Sequence, residues 1–344
     1  MNGRPHTLRV PLVKMHGCGN DYLIVEADSV IGAGDGRVDE TTFRRSVTPQ
    51  LCDRRFGVGA DGVMLLRTAP HPPRTDTPNT TDTPDDRSTD ADRTPRLRAD
   101  VLNADGSLGD FCGNGLRCLV RYAAREKLFT GDSLVVETGA GPIQARLSTD
   151  SPDRVELTIA PPTLDLHRLP LDLSRLDSVE PIETPASGGA AILTVAGRRG
   201  VLIGVGNPHF VVVSSAPSLH REPLIATPNA AGYGPLLETH PAFPNHTNVH
   251  AVRVLDRSHL EAINHERGVG ETLACGSGAC AIAVACRLLN LVEPHVAVRM
   301  PGGTLDVQWD GPGAQLRLAG PTQRVFSGVA EIPIDAETES PRHL

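Results

Sequence analysis

The chain has 344 residues, 33 of them basic and 41 acidic, and a formal net charge of −8, which argues against a nucleic-acid partner or an anionic membrane surface. No apolar run is long enough for a signal peptide or a bilayer span, so a soluble cytoplasmic protein is expected. Seven cysteines, an odd number in a chain long enough for two cores, point to free thiols in a reducing compartment rather than a disulfide framework.

Residues 1–9 are polar and are expected to fray. Val10 to Val25 reads as strand, broken by the turn His16-Gly17-Cys18-Gly19-Asn20-Asp21. That turn can offer the Asn20 amide to a ligand, although turn chemistry alone also favours Asn there. Residues 39–56 read as helix ending at Gly57, followed by a glycine-rich loop, Gly57 to Gly62, and the strand Val63 to Leu66. The loop lacks the Lys-Ser/Thr of a phosphate loop. Residues 68–98 are Thr, Pro, Asp and Arg with almost nothing apolar, too little buried surface to offset their conformational entropy. A disordered loop is expected there, interrupting a hairpin that resumes at Val101.

The turn Asn103-Ala104-Asp105-Gly106-Ser107 leads to Cys112-Gly113-Asn114-Gly115-Leu116-Arg117-Cys118 and a helix. Leu116, Leu119, Val120, Ala123, Ala124 and Leu128 share one face of it, with Arg117, Arg121 and Arg125 elsewhere. Residues 132–160 and 190–213 read as strands, and 161–189 as a connector whose start marks a domain boundary. Residues 216–247 are loop-rich, and Thr247 to Val252 is again a strand. The charged turn His265-Glu266-Arg267-Gly268 precedes Cys275-Gly276-Ser277-Gly278-Ala279-Cys280, whose helix to Leu291 is apolar nearly all round and therefore buried. Residues 329–334 close the chain as a strand in which Pro333 suits an edge.

The two cysteine motifs share their surroundings. Gly139 and Gly302 each stand 27 positions beyond their cysteine, between strand-like segments. Gly19-Asn20-Asp21 and Gly206-Asn207-Pro208 each introduce an apolar strand. The chain is an internal duplication.

A cysteine at a helix start sits among unpaired N–H groups at the positive end of the macrodipole, which favours the thiolate. Lowering its pKa from 8.5 to 7 takes roughly 2 kcal/mol. The small residues after it leave amides open for a carboxylate. Two such units facing one cleft hold one carboxylate with a sulfur on either side, an arrangement suited to inverting the adjacent carbon. One thiolate removes a proton and the opposite thiol returns one, without metal or cofactor. Spacings of six between Cys112 and Cys118, and five between Cys275 and Cys280, are not those of a zinc knuckle or redox dithiol. Cys118, Cys280 and Cys286 read as core residues, and Cys18 and Cys52 are buried or incidental. By themselves His209 fits a packed residue, and Glu266-Arg267 a solvated pair.

Lys14-Met15-His16-Gly17 with Gly19-Asn20-Asp21, the run from Asp53 to Gly62, Asn103 to Ser107, Cys112 to Gly115, Gly206-Asn207-Pro208-His209, His265 to Gly268 and Ala274 to Gly278 together closely resemble the diaminopimelate epimerase family, in its order. The resemblance implies a mixed α/β fold of two pseudo-symmetric domains, each a curled mixed sheet around a central helix. The halves would be residues 9–160, with a C-terminal strand at about 323–337 returning to them, and 161–322. It further implies a homodimeric, cofactor-independent enzyme interconverting LL- and meso-2,6-diaminopimelate in the bacterial lysine and cell-wall pathway. Cys112 and Cys275 would be the acid/base pair, adjusted by His209 and Glu266. Gly113, Asn114, Gly276 and Ser277 would hold the reacting carboxylate, and Asn20, Asn103, Asn207, Asn248 and Arg267 would recognise the substrate. Cys18 stands where relatives are often apolar, and Gly62 where some have a glutamine. Two alternatives are a related proline or hydroxyproline racemase, whose substrate has no need of the asparagine set with Arg267, and a non-enzymatic thiol switch in which the two cysteines join.

Overall fold

The computed structural model describes residues 6–34, 36–67, 94–109, 111–151, 153–182, 188–213 and 232–334. In the first half the strands are β1 (His6–Gly17), β2 (Asn20–Glu26), β3 (Gly62–Arg67), β4 (Arg96–Asn103), β5 (Leu108–Gly109), β6 (Ser133–Thr138), β7 (Gly141–Leu147) and β8 (Arg154–Ile159), with helix α1 (Gly113–Arg125) between β5 and β6. There follow β9 (Ser178–Pro181), β10 (Ala191–Val195), β11 (Arg198–Val205), β12 (Asn207–Val213), β13 (Asn248–Val254), β14 (His259–Glu266) and β15 (Gly270–Thr272). Helix α2 (Gly276–Leu288) and strands β16 (His295–Met300), β17 (Gly303–Gln308), β18 (Leu316–Pro321) and β19 (Gln323–Ile334) complete the chain.

Strand pairing states the duplication more fully than the sequence does. From β1 the order runs antiparallel to β2, parallel to β3, antiparallel to β4, parallel to β6, then antiparallel to β7 and β8. From β11 the same sequence of senses runs through β12, β13, β14, β16, β17 and β18. The short β5 pairs with β4 as β15 pairs with β14. The two series join where β8 pairs antiparallel with β18. Gly139 and Gly302 fall in the matching turns after β6 and β16.

Each series curls around its own helix. Helix α1 packs on β1, β2 and β3 at one end of its series and on β7 and β8 at the other, and α2 packs on β11, β12 and β13 and on β16, β17 and β18. One continuous apolar core therefore contains both helices. Smaller cores cover the outer faces, under Phe43, Val47 and Leu51 in the first half and under Leu237 and Phe243 in the second. Strands such as β3, buried on both faces, accordingly read as unbroken apolar runs rather than alternation.

Several expectations need correction. Residues 6–9 do not fray: β1 begins at His6 and pairs with β19 from Ile334 inward, burying Leu8 and Val10 completely. Each such side chain contributes about 1.5–3 kcal/mol. The helix expected over 39–56 is shorter and irregular. Asp39 caps it, Glu40–Thr42 and Thr48–Cys52 are α-helical, and Phe43–Val47 widens into a π turn just before Pro49, which has no N–H to give. It ends at Cys52 because the Asp53 carboxylate takes the N–H groups of Arg55 and Phe56. Of the expected loop 68–98, residues 68–93 lie outside the described residues, while Arg96, Leu97 and Arg98 already belong to β4. His265 and Glu266 end strand β14 rather than lying in a turn, and only Arg267 and Gly268 turn. Arg117, assigned to the polar side of its helix, is fully buried.

Candidate active site

Cys112 and Cys275 are the N-caps of α1 and α2, both in extended backbone. Each sulfur accepts its own helix's third amide, from Gly115 and Gly278 respectively, at 3.4 Å in both halves. The thiol thus does what a Ser or Asp cap does, and a negative charge on sulfur would strengthen the bond. The glycines are required by space. A Cβ at Gly115 would stand 2.7 Å from Met64 Sδ, and one at Gly278 2.5 Å from His250 Cε1. The helix starts also meet: a Cβ at Gly276 would lie 3.7 Å from Gly113 Cα, and Leu318 wedges against both glycines.

Both cysteines open on one cavity of about 1210 Å³. That is larger than the roughly 300–1,000 Å³ usual for small-ligand pockets. Asn20, Asn103, Gly113 and Asn114 line it from the first half, and Asn207, Glu266, Arg267, Gly276 and Ser277 from the second. Asn20 Oδ1 accepts from Asn114 Nδ2 at 3.2 Å and faces Cys112 Sγ at 3.6 Å, while its Nδ2 donates to Asp61. Asn114 Nδ2 also reaches the Ala274 carbonyl, tying one cysteine loop to the other.

Two expected residues are not brought to the cavity. His209 is wholly buried, its Nδ1 2.9 Å from His250 Nε2, and His250 Nδ1 in turn lies 2.8 Å from Asn264 Oδ1. Asn248 points away as well, donating to the Pro208 carbonyl and accepting the Arg267 amide at 3.0 Å. It fixes the backbone of Arg267, whose guanidinium donates to the Asn245 carbonyl.

Burial decides the state of the thiols. It pushes Cys112 up, against the Tyr22 hydroxyl and the Gly115 amide, which draw it down. Cys275 is pushed well above its ordinary value by burial and by the Glu266 carboxylate beside it, with Ser277 and Gly278 opposing. The helix-end stabilisation expected of these thiolates is therefore outweighed by burial in this state. Burial raises the Glu266 carboxyl, while the Thr272 hydroxyl at 2.6 Å and the Cys275 thiol draw it down and hold it in place. The asparagine wall rests on ion pairs. Burial works against the Asp21 carboxylate, but Arg54 and Lys14 outweigh it and hold the pKa at about 2.

The family model for diaminopimelate epimerase matches residues 12–164 and 201–325. The chain belongs to the diaminopimelate epimerase family. Among its relatives, the diaminopimelate epimerase of Desulforudis audaxviator is 37% identical over 322 residues, 92% of this chain and 97% of that one. The diaminopimelate epimerase of Albidiferax ferrireducens is 33% identical over 335 residues, 95% and 99% of the two chains. Solved structures of the same fold include a Bacillus anthracis phenazine biosynthesis protein of the PhzF family, TM-score 0.58 at 16% identity, covering 94% and 99%. A hydroxyproline epimerase from Agrobacterium vitis has TM-score 0.58 at 17% identity, covering 98% and 94%. The mixed α/β fold with its curled, strand-rich sheet is thus the family's. Among the described residues no helix is long and apolar enough to cross a membrane.

Sequence reasoning missed Tyr22, Arg117, His250 and Asn264. Tyr22 sits in a plain strand pattern, and His250 and Asn264 lie on adjacent strands whose pairing opposes them. Only the register reveals that they touch.

Proposed function

We propose that this chain epimerises diaminopimelate between its LL and meso forms, with Cys112 and Cys275 as the two acid/base groups. The reading is carried by one observation: the sulfurs that cap two topologically equivalent helices open on one cavity. The substrate α-carboxylate lies across the amides of Gly113, Asn114, Gly276 and Ser277. One thiolate takes the α-proton, so that a C–H bond breaks, an S–H bond forms and the electron pair spreads onto the carboxylate held by those amides. The opposite thiol gives its proton to the other face. When Cys275 is the base, its own proton goes first to Glu266. No metal or organic cofactor takes part. Asn20, Asn103, Asn207 and Arg267 grip the distal amino-acid group, Arg267 as a bidentate partner of its carboxylate. Asn248 and His209 act as positioning residues, the first through Arg267 and the second through its stacked ring.

The proposal includes the division into halves at 9–160 with 323–337, and 161–322, supported by the repeated pairing order and by β19 returning to β1. It includes a cytoplasmic homodimer that binds no nucleic acid. Exposed Val325, Phe326 and Val329 on β19 support the dimer, since apolar side chains clustered on one strand favour a protein contact.

The test incubates the protein with each diaminopimelate isomer in deuterium oxide under reducing conditions. Epimerisation is expected, with deuterium entering one α-carbon, and neither Cys112→Ala nor Cys275→Ala should epimerise. Exchange into proline but not diaminopimelate would transfer the reading to a proline-type racemase. No exchange into either would end it.

A further inference from the structure

Arg117 is the fifth residue after Cys112, and its counterpart after Cys275 is Cys280. At this position the duplicated helices thus carry a cation in the first and none in the second. The Arg117 side chain is 0% exposed and runs back along α1 toward the N-terminus, as helical side chains do. The guanidinium donates to the Gly113 carbonyl at 3.3 Å and to Asn114 Oδ1, and among the described residues its Nε has no partner. Among the described residues no carboxylate pairs with it, and the titratable groups facing it are the thiols of Cys18, Cys118, Cys112 and Cys280.

Two glycines from separate elements make room for it, and a third stands beside it. A Cβ at Gly17 would be 3.2 Å from one terminal nitrogen, one at Gly320 3.1 Å from Nε, and one at Gly276 3.9 Å from the other terminal nitrogen. Gly276 belongs to the second helix start, so the guanidinium lies against both. Gly113, Asn114 and Gly276 line the cavity on their other side, leaving a single layer of residues between the cation and the space beside the sulfurs.

An unpaired charge is costly to bury. Arginine keeps its charge in such a site where lysine would tend to lose it. From this placement, the geometry points to Arg117 as the buried counter-charge of the cleft, selecting an anionic group at the junction of the two helix starts and favouring negative charge on the flanking sulfurs. It rests on the proposed function in that the anion is the reacting carboxylate, but it makes a claim about the thiols that needs no substrate.

The test compares rates of alkylation of Cys112 and Cys275 by iodoacetate, an anion, and by iodoacetamide, its neutral analogue, across pH and followed by peptide mass spectrometry. In the intact protein the iodoacetate-to-iodoacetamide rate ratio should exceed that of free cysteine, and should fall about tenfold or more in Arg117→Gln, because a unit charge behind one residue layer acts through a low effective dielectric. The pH midpoint of iodoacetamide alkylation should rise in the same variant. Arg117→Lys, whose ammonium burial tends to neutralise, should recover part of the ratio at the acid end of the pH range, where the lysine is charged, and lose it as the pH rises, whereas a packing defect would leave both variants alike at every pH. A folded Arg117→Gln protein with unchanged ratio and midpoint overturns the inference. If that variant does not fold, an intact-protein ratio no higher than that of free cysteine overturns it, and a higher ratio that persists at high salt, where a buried charge is little screened, sustains it. Loss of diaminopimelate turnover with the ratios behaving as expected would sink the substrate assignment and leave this one standing.

Discussion

The pair of stacked imidazoles makes the stability of this protein depend on pH in a way that one substitution can isolate. His250 is fully buried between His209, whose ring lies 5.1 Å away centroid to centroid, and the first turn of α2. Burial lowers its pKa from 6.5 to about 4, although its bond to Asn264 works the other way. Because the folded value lies below the unfolded one, the unfolded chain takes up the proton first as the solution is acidified. Above about pH 6.5 the ring is neutral in both states and costs nothing; between 6.5 and 4 stability falls by about 1.36 kcal/mol per pH unit. From pH 7.5 to pH 5 that is a loss of about 2 kcal/mol from this ring alone. His250→Gln removes the titration and keeps a side chain able to bond Asn264. Urea unfolding of both proteins at the two pH values should show the intact protein losing about 2 kcal/mol more than the variant. Equal losses would mean that the ring is already protonated or is exposed to water in the native state, and the account of the stack would be wrong.

Three further outcomes follow from the same geometry. Gly278→Ala should destabilise by about 1–3 kcal/mol in thermal unfolding, because its methyl meets the rigid His250 ring; Gly115→Ala should cost less, since the atom it meets belongs to the flexible Met64. Asp21 contributes stability above its unfolded pKa of 3.8 that is lost as the pH falls toward 2, so Asp21→Asn should remove about 2 kcal/mol at pH 7 and flatten the acid limb of the unfolding curve. Mild oxidation should join Cys112 to Cys275, closing the cleft with loss of epimerisation and of both alkylatable thiols, and reductant should restore them. Full activity with both thiols free after oxidation would show that the sulfurs cannot meet.

What could be read from the sequence was whatever depends on neighbours along the chain. A cysteine followed by glycines at a helix start is local chemistry, and its repetition with a glycine turn 27 positions later located both caps and both curled halves. The ends of elements were less legible. Leu8 looks like part of a polar tail until β19, more than three hundred residues later, supplies Ile332 and Ile334 to bury it. The irregular helix before Cys52 likewise reflects Pro49 and the Asp53 carboxylate competing with helical bonds, not a change in apolar period.

The residues that were misplaced have a shared cause. Arg117 lies on the face a helical wheel gives to solvent, but α1 is enclosed by its own sheet and touches α2, so it has little wet side near its start. A wheel assumes one buried face, and a helix inside a curl violates that assumption. The error also exposes an asymmetry that the repeat conceals. The backbone is duplicated, sulfur for sulfur and amide for amide, yet among the described residues the buried Arg117 has its place in the first half, and Glu266 and the stacked histidines theirs in the second. Equivalent scaffolds thus hold their thiols in unequal surroundings, Cys275 beside a carboxylate and Cys112 beside the Tyr22 hydroxyl. With the two faces of the substrate carbon served by these different sulfurs, as proposed, the forward and reverse reactions should differ in pH dependence even though they share one pathway. Separate pH profiles of kcat for the LL and meso isomers would reveal it, and coincident profiles would mean that the surroundings of the two thiols become equivalent in the substrate complex.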